Sequence, residues 1–239
     1  HVFDEVEKGK ADWGVVPVEN SLEGTVGVTL DRLLGTPLSI RAELFLRISH
    51  CLLAARKNRN AVQRIYSHPQ ALSQCSIWLS THMPRAALIE ADSTSAAAMR
   101  ASEDATSAAV GSRLAAETYG LKILAESIED SPSNETRFLV IGKGGNAPTG
   151  RDKTSILFSV SDVPGSLHRA LRPFARRRVN LMKIESRPVR GRLWEYRFFA
   201  DVGGHCEDRK VARCLEELGS CTTFLKIAGS YPQGRCVET

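Results

Sequence analysis

The sequence has no C-x-x-C pair among its six cysteines, which stand at 51, 75, 206, 214, 221 and 236, and no histidine cluster beside them at zinc-ligand spacing. That pattern speaks against a structural metal site. In a chain long enough to need no staples, it leads us to expect reduced thiols, some of them buried. No apolar run approaches the roughly 18 residues that a membrane helix needs. The N-terminal stretch is charged from its fourth residue and has no signal-peptide core, so the cytoplasm is the default compartment. No Ser–His–Asp or Cys–His arrangement stands out, and no nucleotide motif is present. The run Gly142-Lys143-Gly144-Gly145 is too short for a phosphate loop and lacks its spacing. Internal repeats and low-complexity tracts are also missing.

What is there suits a globular protein. The 239 residues are 42% hydrophobic and 25% charged, ordinary values for one large or two medium domains with real cores. Charge is uneven. Residues 1–150 carry 15 Lys and Arg against 17 Asp and Glu, whereas residues 151–239 carry 17 against 10. The densest basic run, Arg176-Arg177-Arg178, ends a helical pattern, where cations complement the dipole. It reads as a solvated face rather than a nucleic-acid patch, since no aromatic stacking platform accompanies it.

Residues 142–152 hold several glycines, a proline and short polar residues, and read as a flexible linker. Before it, strand-like and helix-like segments alternate. Strands are expected over Trp13–Pro17, Leu38–Ala55, Arg64–Tyr66, Ala86–Glu90, Ala108–Val110 and Arg137–Ile141. Helices are expected over Thr25–Leu34, Pro69–Ser80 with proline at an allowed early position, Ser93–Ala101, and on through Tyr119. Such alternation predicts an α/β fold with a mostly parallel sheet, whose ligands bind beyond the carboxyl ends of strands. After the linker the order is strand (Thr154–Val160), helix (Pro164–Arg177), strand (Asn180–Arg187), strand (Leu193–Val202), helix (Asp208–Leu218) and strand (Thr223–Ala228). The middle strands are expected to form a hairpin across Val189–Arg192. This βαββαβ order is the ferredoxin-like unit.

Four polar clusters fall at strand ends in the first part. They are Glu19-Asn20-Ser21, Ser67-His68-Pro69-Gln70 with Gln74 a turn later, Asp92-Ser93-Thr94-Ser95, and Asn134-Glu135-Thr136-Arg137-Phe138. Singly, each has a plain reading as a turn, a helix cap or a strand start. Histidine is the usual acid at neutral pH, but His68 reads better as a structural helix entry.

Together and in this order, the clusters resemble the prephenate dehydratase family. The matching stretches are Gly14–Gly24, Tyr66–Cys75, Asp92–Ala98 and Asn134–Ile141. The second part resembles that family's ACT domain through Asp162–Leu167, Asn180-Leu181, Glu185-Ser186-Arg187-Pro188 and Phe224–Pro232. The resemblance implies a periplasmic-binding-protein-like, two-lobed catalytic domain over residues 1–143, a linker over 144–152 and a regulatory domain over 153–239. Residues 1–7 match the helix that follows the family's opening strand and loop, so the catalytic domain is expected to lack those elements here.

The implied reaction converts prephenate to phenylpyruvate. Aromatisation drives it, so no cofactor is expected. Thr136 would act on the leaving hydroxide and Arg137 would bind a substrate carboxylate. Asn20, Ser67 and Gln74 would position the substrate, with Glu19 and Thr94 nearby. L-phenylalanine would bind the ACT domain at Gly165, Ser166 and Leu167, on backbone N–H groups of a helix start. Asn180, Leu181, Glu185, Ser186, Arg187 and Pro188 would complete that pocket, usually across the interface of a homodimer or homotetramer. The family usually has Ala where Ser166 stands. Two other readings keep the ancestry: an arogenate dehydratase, and a non-catalytic amino-acid-binding regulator.

Overall fold

The computed structural model describes residues 1–188, 196–234 and 236–237. In chain order it opens with helix α1 (Val2–Glu7), strands β1 (Trp13–Asn20) and β2 (Gly24–Thr25), helix α2 (Gly27–Gly35) and strands β3 (Ser39–Arg47) and β4 (Cys51–Ala54). Next come β5 (Arg64–Ser67), helices α3 (Pro69–Gln74) and α4 (Ser76–His82), β6 (Ala87–Glu90), α5 (Thr94–Glu103), β7 (Ser107–Gly111), α6 (Arg113–Thr118), β8 (Lys122–Ala125) and β9 (Glu135–Gly142). The last third holds β10 (Asp152–Ser159), α7 (Ser166–Arg177), β11 (Leu181–Pro188), β12 (Tyr196–Gly203), α8 (Arg209–Cys221), β13 (Phe224–Pro232) and β14 (Cys236–Val237). The hairpin turn expected at Val189–Arg192 lies outside the described residues.

The chain divides into two units, one of residues 1–46 with 136–237, the other of residues 47–135. In the second unit, strands run in the order β6-β5-β7-β4-β8. Alternation sends Leu52, Ala108 and Val110 to one face, against Leu72 of α3, Leu79 of α4 and Cys75 between them. Cys51, Leu53 and Ala109 take the other face, against Ala97, Ala98 and Ala101 of α5. The small alanines let α5 approach the sheet closely. The expected helix Pro69–Ser80 is two helices, broken at Cys75. Asp130, remote in sequence, accepts from Ile77 N (3.0 Å) and Trp78 N (3.1 Å) and so caps α4. Capping of this kind starts a new helix rather than prolonging the old one.

The other unit contains two sheets. One has the order β14-β3-β9-β1-β2 and the other β11-β12-β10-β13. Parallel pairing is thus more limited than the strand–helix alternation suggested: β5 pairs in parallel with β6 and β7, and β14 with β3. β1 is antiparallel to β9 and β2, β4 is antiparallel to β7 and β8, and all registers around β10 are antiparallel. Strand β5 reaches its parallel neighbour β6 through α3 and α4, and α5 leads from β6 to β7, the helical crossovers that parallel neighbours require.

Strand β10 is buried on both faces. Ile156 and Phe158 pack on Ala170, Phe174, Val211 and Leu218 of α7 and α8. Leu157, on its other face, joins Phe199, Ala228 and Tyr231 in one core with Val16, Leu33, Ile40 and Leu139. The C-terminal sheet therefore closes the core of the N-terminal one. Gly229 permits the approach, because a Cβ there would lie 2.3 Å from the carbonyl oxygen of Ile40. The spacer between the sheets is anchored too. Asn146 donates to the carbonyls of Arg41 (2.9 Å) and Ser230 (2.8 Å) and accepts from Arg41 Nε (2.9 Å). Cys51, Cys75, Cys206, Cys214 and Cys221 are free thiols, and burial pushes Cys75 up to about 12 and Cys214 up to about 11, which leaves both inert at neutral pH.

Because Ile40 meets Gly229 through backbone, the neighbour has no flexible end to withdraw. Gly229→Ala should lower stability by about 1–3 kcal/mol or more, the usual cost of overpacking. A urea midpoint unchanged from the wild type would refute the close approach.

Candidate active site

The register of β1 against β9 places Asn20 opposite Thr136 and Glu19 opposite Arg137. The chain turns just after Asn20, whose Oδ1 accepts from the backbone N–H groups of Leu22 (3.0 Å) and Glu23 (3.1 Å). That turn fixes which way the amide faces. Its NH2 group is directed at Thr136, donating to Oγ1 at 3.0 Å. Thr136 accepts this bond, and among the described residues its own proton is donated to none. A hydroxyl held as an acceptor on one side presents its proton on another.

Arg137 points to the opposite face of β9 and is 5% exposed. Its guanidinium is fully surrounded. Nε donates to Glu43 Oε2 (2.8 Å), Nη1 to Asp201 Oδ2 (2.5 Å) and Nη2 to Tyr231 OH (3.1 Å). Glu43 also takes Lys153 Nζ at 2.8 Å on both oxygens and the N–H of Gly234 at 3.0 Å. Ser155 Oγ lies 2.5 Å from both Asp201 Oδ1 and the Tyr231 hydroxyl. Two buried cations thus meet two buried anions. Burial works against the Arg137 charge, but Tyr231, Asp201 and Glu43 outweigh it and hold its pKa above the ordinary arginine range. Glu19, the cross-strand neighbour, lies 4.0 Å from Arg137 Nη1 and pairs with Lys183 of β11 at 2.7 Å. The guanidinium expected to meet a substrate carboxylate is thus engaged by groups of its own unit.

The second unit collects other expected residues. Gln74 Oε1 accepts from Asn134 Nδ2 (3.1 Å) and faces His50 Nε2 at 2.9 Å. Ser67 is fully buried and donates to the carbonyl of Val110 at 2.7 Å. Thr94 opens α5 beside the N-cap Ser93, which accepts from Ala96 N at 3.0 Å. His68 caps α3 by accepting from Gln70 N at 3.3 Å, in keeping with a structural role.

The residues assigned to an effector separate within one chain. Gly165, Ser166 and Leu167 line a cavity of about 780 Å³ together with Val160, Asp162, His168, Tyr196 and Phe198. Arg187 and Pro188 line a different cavity of about 420 Å³, beside Leu30, Asp31, Leu34, Phe198 and Phe199. Arg187 lies over Gly27 and 3.6 Å from Asp31 of α2, and a Cβ at Gly27 would meet its Nη1 at 2.1 Å. Asn180 and Leu181 enter β11, with the Asn180 carbonyl accepting from Gly203 N at 2.9 Å. Glu185 and Ser186 lie opposite Phe199 and Phe198 in β12. Of the basic run, Arg176 and Arg177 both pair with Glu217 of α8.

Sequence reasoning missed Glu43, Asp201, Lys153, Lys183 and His50. A signal existed for Asp201, since it interrupts the apolar run from Phe198 to Val202. A charge in such a place is buried and needs a partner, but the partner's identity comes only from the fold. Among the described residues no cluster of His, Cys, Asp or Glu could hold a metal, and no helix is long and apolar enough to cross a membrane.

The alkaline limit of stability should report on this network. Burial raises the Tyr231 phenol well above its ordinary value of 10.0. The unfolded chain releases that proton near pH 10 while the folded chain keeps it. The contribution is therefore complete below about pH 10 and drains above it, by about 1.4 kcal/mol per pH unit. Tyr231→Phe should be less stable at pH 7 and decline less steeply from pH 10 to 11, read from urea midpoints. Identical slopes would disprove the assignment.

Residues 1–146 match the family model for prephenate dehydratase and residues 154–220 that for the ACT domain. The bifunctional chorismate mutase/prephenate dehydratase of Aquifex aeolicus (strain VF5) is 49% identical over 237 residues, covering 99% of this chain and 66% of that protein. The chain spans less than two thirds of the length of such bifunctional relatives, 66% and 64% for two of them. Prephenate dehydratase from Arthrobacter aurescens, solved in complex with L-Phe, matches with a TM-score of 0.86 and 39% identity, over 96% of this chain and 78% of that one. GqqA, described as a novel type of quorum quenching acylase, matches with a TM-score of 0.87 and 32% identity over 97% of this chain and 85% of its own. The fold is accordingly α/β, a periplasmic-binding-protein-like dehydratase domain followed by an ACT domain.

Proposed function

We propose, since the chain belongs to the prephenate dehydratase family and carries an ACT domain, that it converts prephenate to phenylpyruvate in the cytoplasm, in the biosynthesis of phenylalanine. One ring substituent leaves as carbon dioxide, and the electron pair of its broken bond enters the ring. That pair expels hydroxide from the opposite ring carbon, which leaves as water after taking a proton. The aromatic ring is the driving force, so the protein has only to orient the dianion and meet the departing oxygen.

The observation that carries this reading is the Asn20–Thr136 bond. Asn20 donates to Thr136, so the threonine hydroxyl turns its own proton toward the leaving group. A threonine is a weak acid. Its part is therefore a hydrogen bond that strengthens as hydroxide develops, rather than full proton transfer. Glu19, Ser67, Gln74 and Thr94 are proposed as substrate contacts on the resemblance. For Arg137, placed by the resemblance at a substrate carboxylate, the engaged guanidinium favours a supporting role beside Thr136. Arogenate, with the same ring and leaving group, is an alternative substrate for the same chemistry.

Thr136→Ala should lower kcat for phenylpyruvate formation about 100- to 1,000-fold, the usual loss for one placed donor to a developing oxyanion, while Thr136→Ser keeps most of it. Wild-type turnover retained by a folded Thr136→Ala protein would refute the role.

For the ACT domain we propose L-phenylalanine as effector, with its carboxylate on the N-terminus of α7 at Gly165–Leu167. The residues of Glu185–Pro188 would reach that cavity from a second copy of the chain in a homodimer or homotetramer. Titration calorimetry should detect phenylalanine binding that is lost when Gly165→Val blocks the helix start. Absence of heat with the wild type would remove the effector claim.

A further inference from the structure

Strands β1 and β9 bring Asn20 and Thr136 together on one side, and Glu19 and Arg137 form the next pair in register. Each of these two charged residues is held from the C-terminal sheet. Asp201 of β12 accepts from Arg137 Nη1 at 2.5 Å, and Tyr231 of β13 faces Nη2 at 3.1 Å. Lys183 of β11 holds Glu19 at 2.7 Å. Three different strands of the ACT domain thus reach the same rung of the dehydratase strand pair. Asp201 and Tyr231 are 1% and 0% exposed, so water offers Arg137 no replacement partner.

Successive side chains of a strand point to opposite faces. A guanidinium clamped on one face therefore fixes the twist of β9 and, with it, the direction of the Thr136 hydroxyl on the other. We infer that Asp201 and Tyr231, through Arg137, and Lys183, through Glu19, are positioning residues of the dehydratase site. The ACT domain would then complete the catalytic strand end within its own chain, independently of any effector. This inference rests on the dehydratase reading given above.

A structural ion pair would lower stability and leave the kinetics of the folded protein alone, whereas a positioning role predicts a split between kcat and KM. In the purified protein, Asp201→Asn should cut kcat for phenylpyruvate formation about 10- to 100-fold, the scale of a small misplacement of a reacting group, with KM changed less than about threefold. Asp201→Glu should recover part of the loss. In an Arg137→Met background, Asp201→Asn should change kcat no further, because the two act as one unit. Unchanged kcat in Asp201→Asn, or losses that multiply in the double variant, would overturn the inference.

Where Asp201→Asn fails to fold, Tyr231→Phe and Lys183→Gln carry the same kinetic test. Wild-type kcat in both would overturn the inference equally. A readout free of turnover separates the two levels of the argument. In 15N-labelled protein, the Thr136 backbone amide and the Asn20 side-chain amide should shift in Lys183→Gln and Tyr231→Phe, and unmoved signals would reject positioning. A wild type with no prephenate turnover but with those shifts would defeat the dehydratase reading and leave the positioning role standing.

Discussion

A buried guanidinium with no access to water must be met by acceptors on every side, and most of this unit follows from that requirement at Arg137. Glu43, Asp201 and Tyr231 converge on it, and Lys153 adds a second cation, held on both carboxylate oxygens of Glu43. Desolvating four charges is expensive, and such a cluster is weak evidence of stability compared with an apolar core. Its strength is directional. The observed placement of β3, β9, β10, β12 and β13 satisfies every member, so the cluster ties the two sheets in one registry.

That registry explains why the division by compactness differs from the division by family. Sequence families separate the chain near residues 146 and 154. Packing instead joins the C-terminal domain to residues 1–46 and to the strand that carries Thr136, and sets residues 47–135 apart. The segment that carries Thr136 thus shares its core with the C-terminal sheet through Leu157, Phe199, Ala228 and Tyr231.

The alternation of strands and helices was readable wherever local rules suffice. Ser93 before an alanine-rich helix and the βαββαβ order after residue 152 are examples, and both rest on short-range chemistry. That Asn20 and Thr136 belong to one site was legible only as a resemblance, and their direct bond was not, because 116 residues separate them. What escaped depends on distant partners. The break at Cys75 needs Asp130, the antiparallel β1–β9 register needs two strands far apart in sequence, and the engagement of Arg137 needs acidic groups from both domains. Periodicity identifies a buried position, but it does not say which distant side chain will fill it.

Helix α2 belongs to the dehydratase domain and is gripped at both ends by residues of the C-terminal sheet. Lys226 of β13 donates to the carbonyls of Leu33 (2.7 Å), Leu34 (3.2 Å) and Thr36 (2.6 Å) at its C-terminus, and Arg187 lies over Gly27 at its start. The ACT domain is thereby keyed to residues 1–46 of its own chain as a lock is to a cut key. An ACT domain of identical fold borrowed from elsewhere would supply the shape but not the teeth. In this chain, exchange of regulatory modules by recombination would require the lysine, the arginine and the two buried acceptors to travel together.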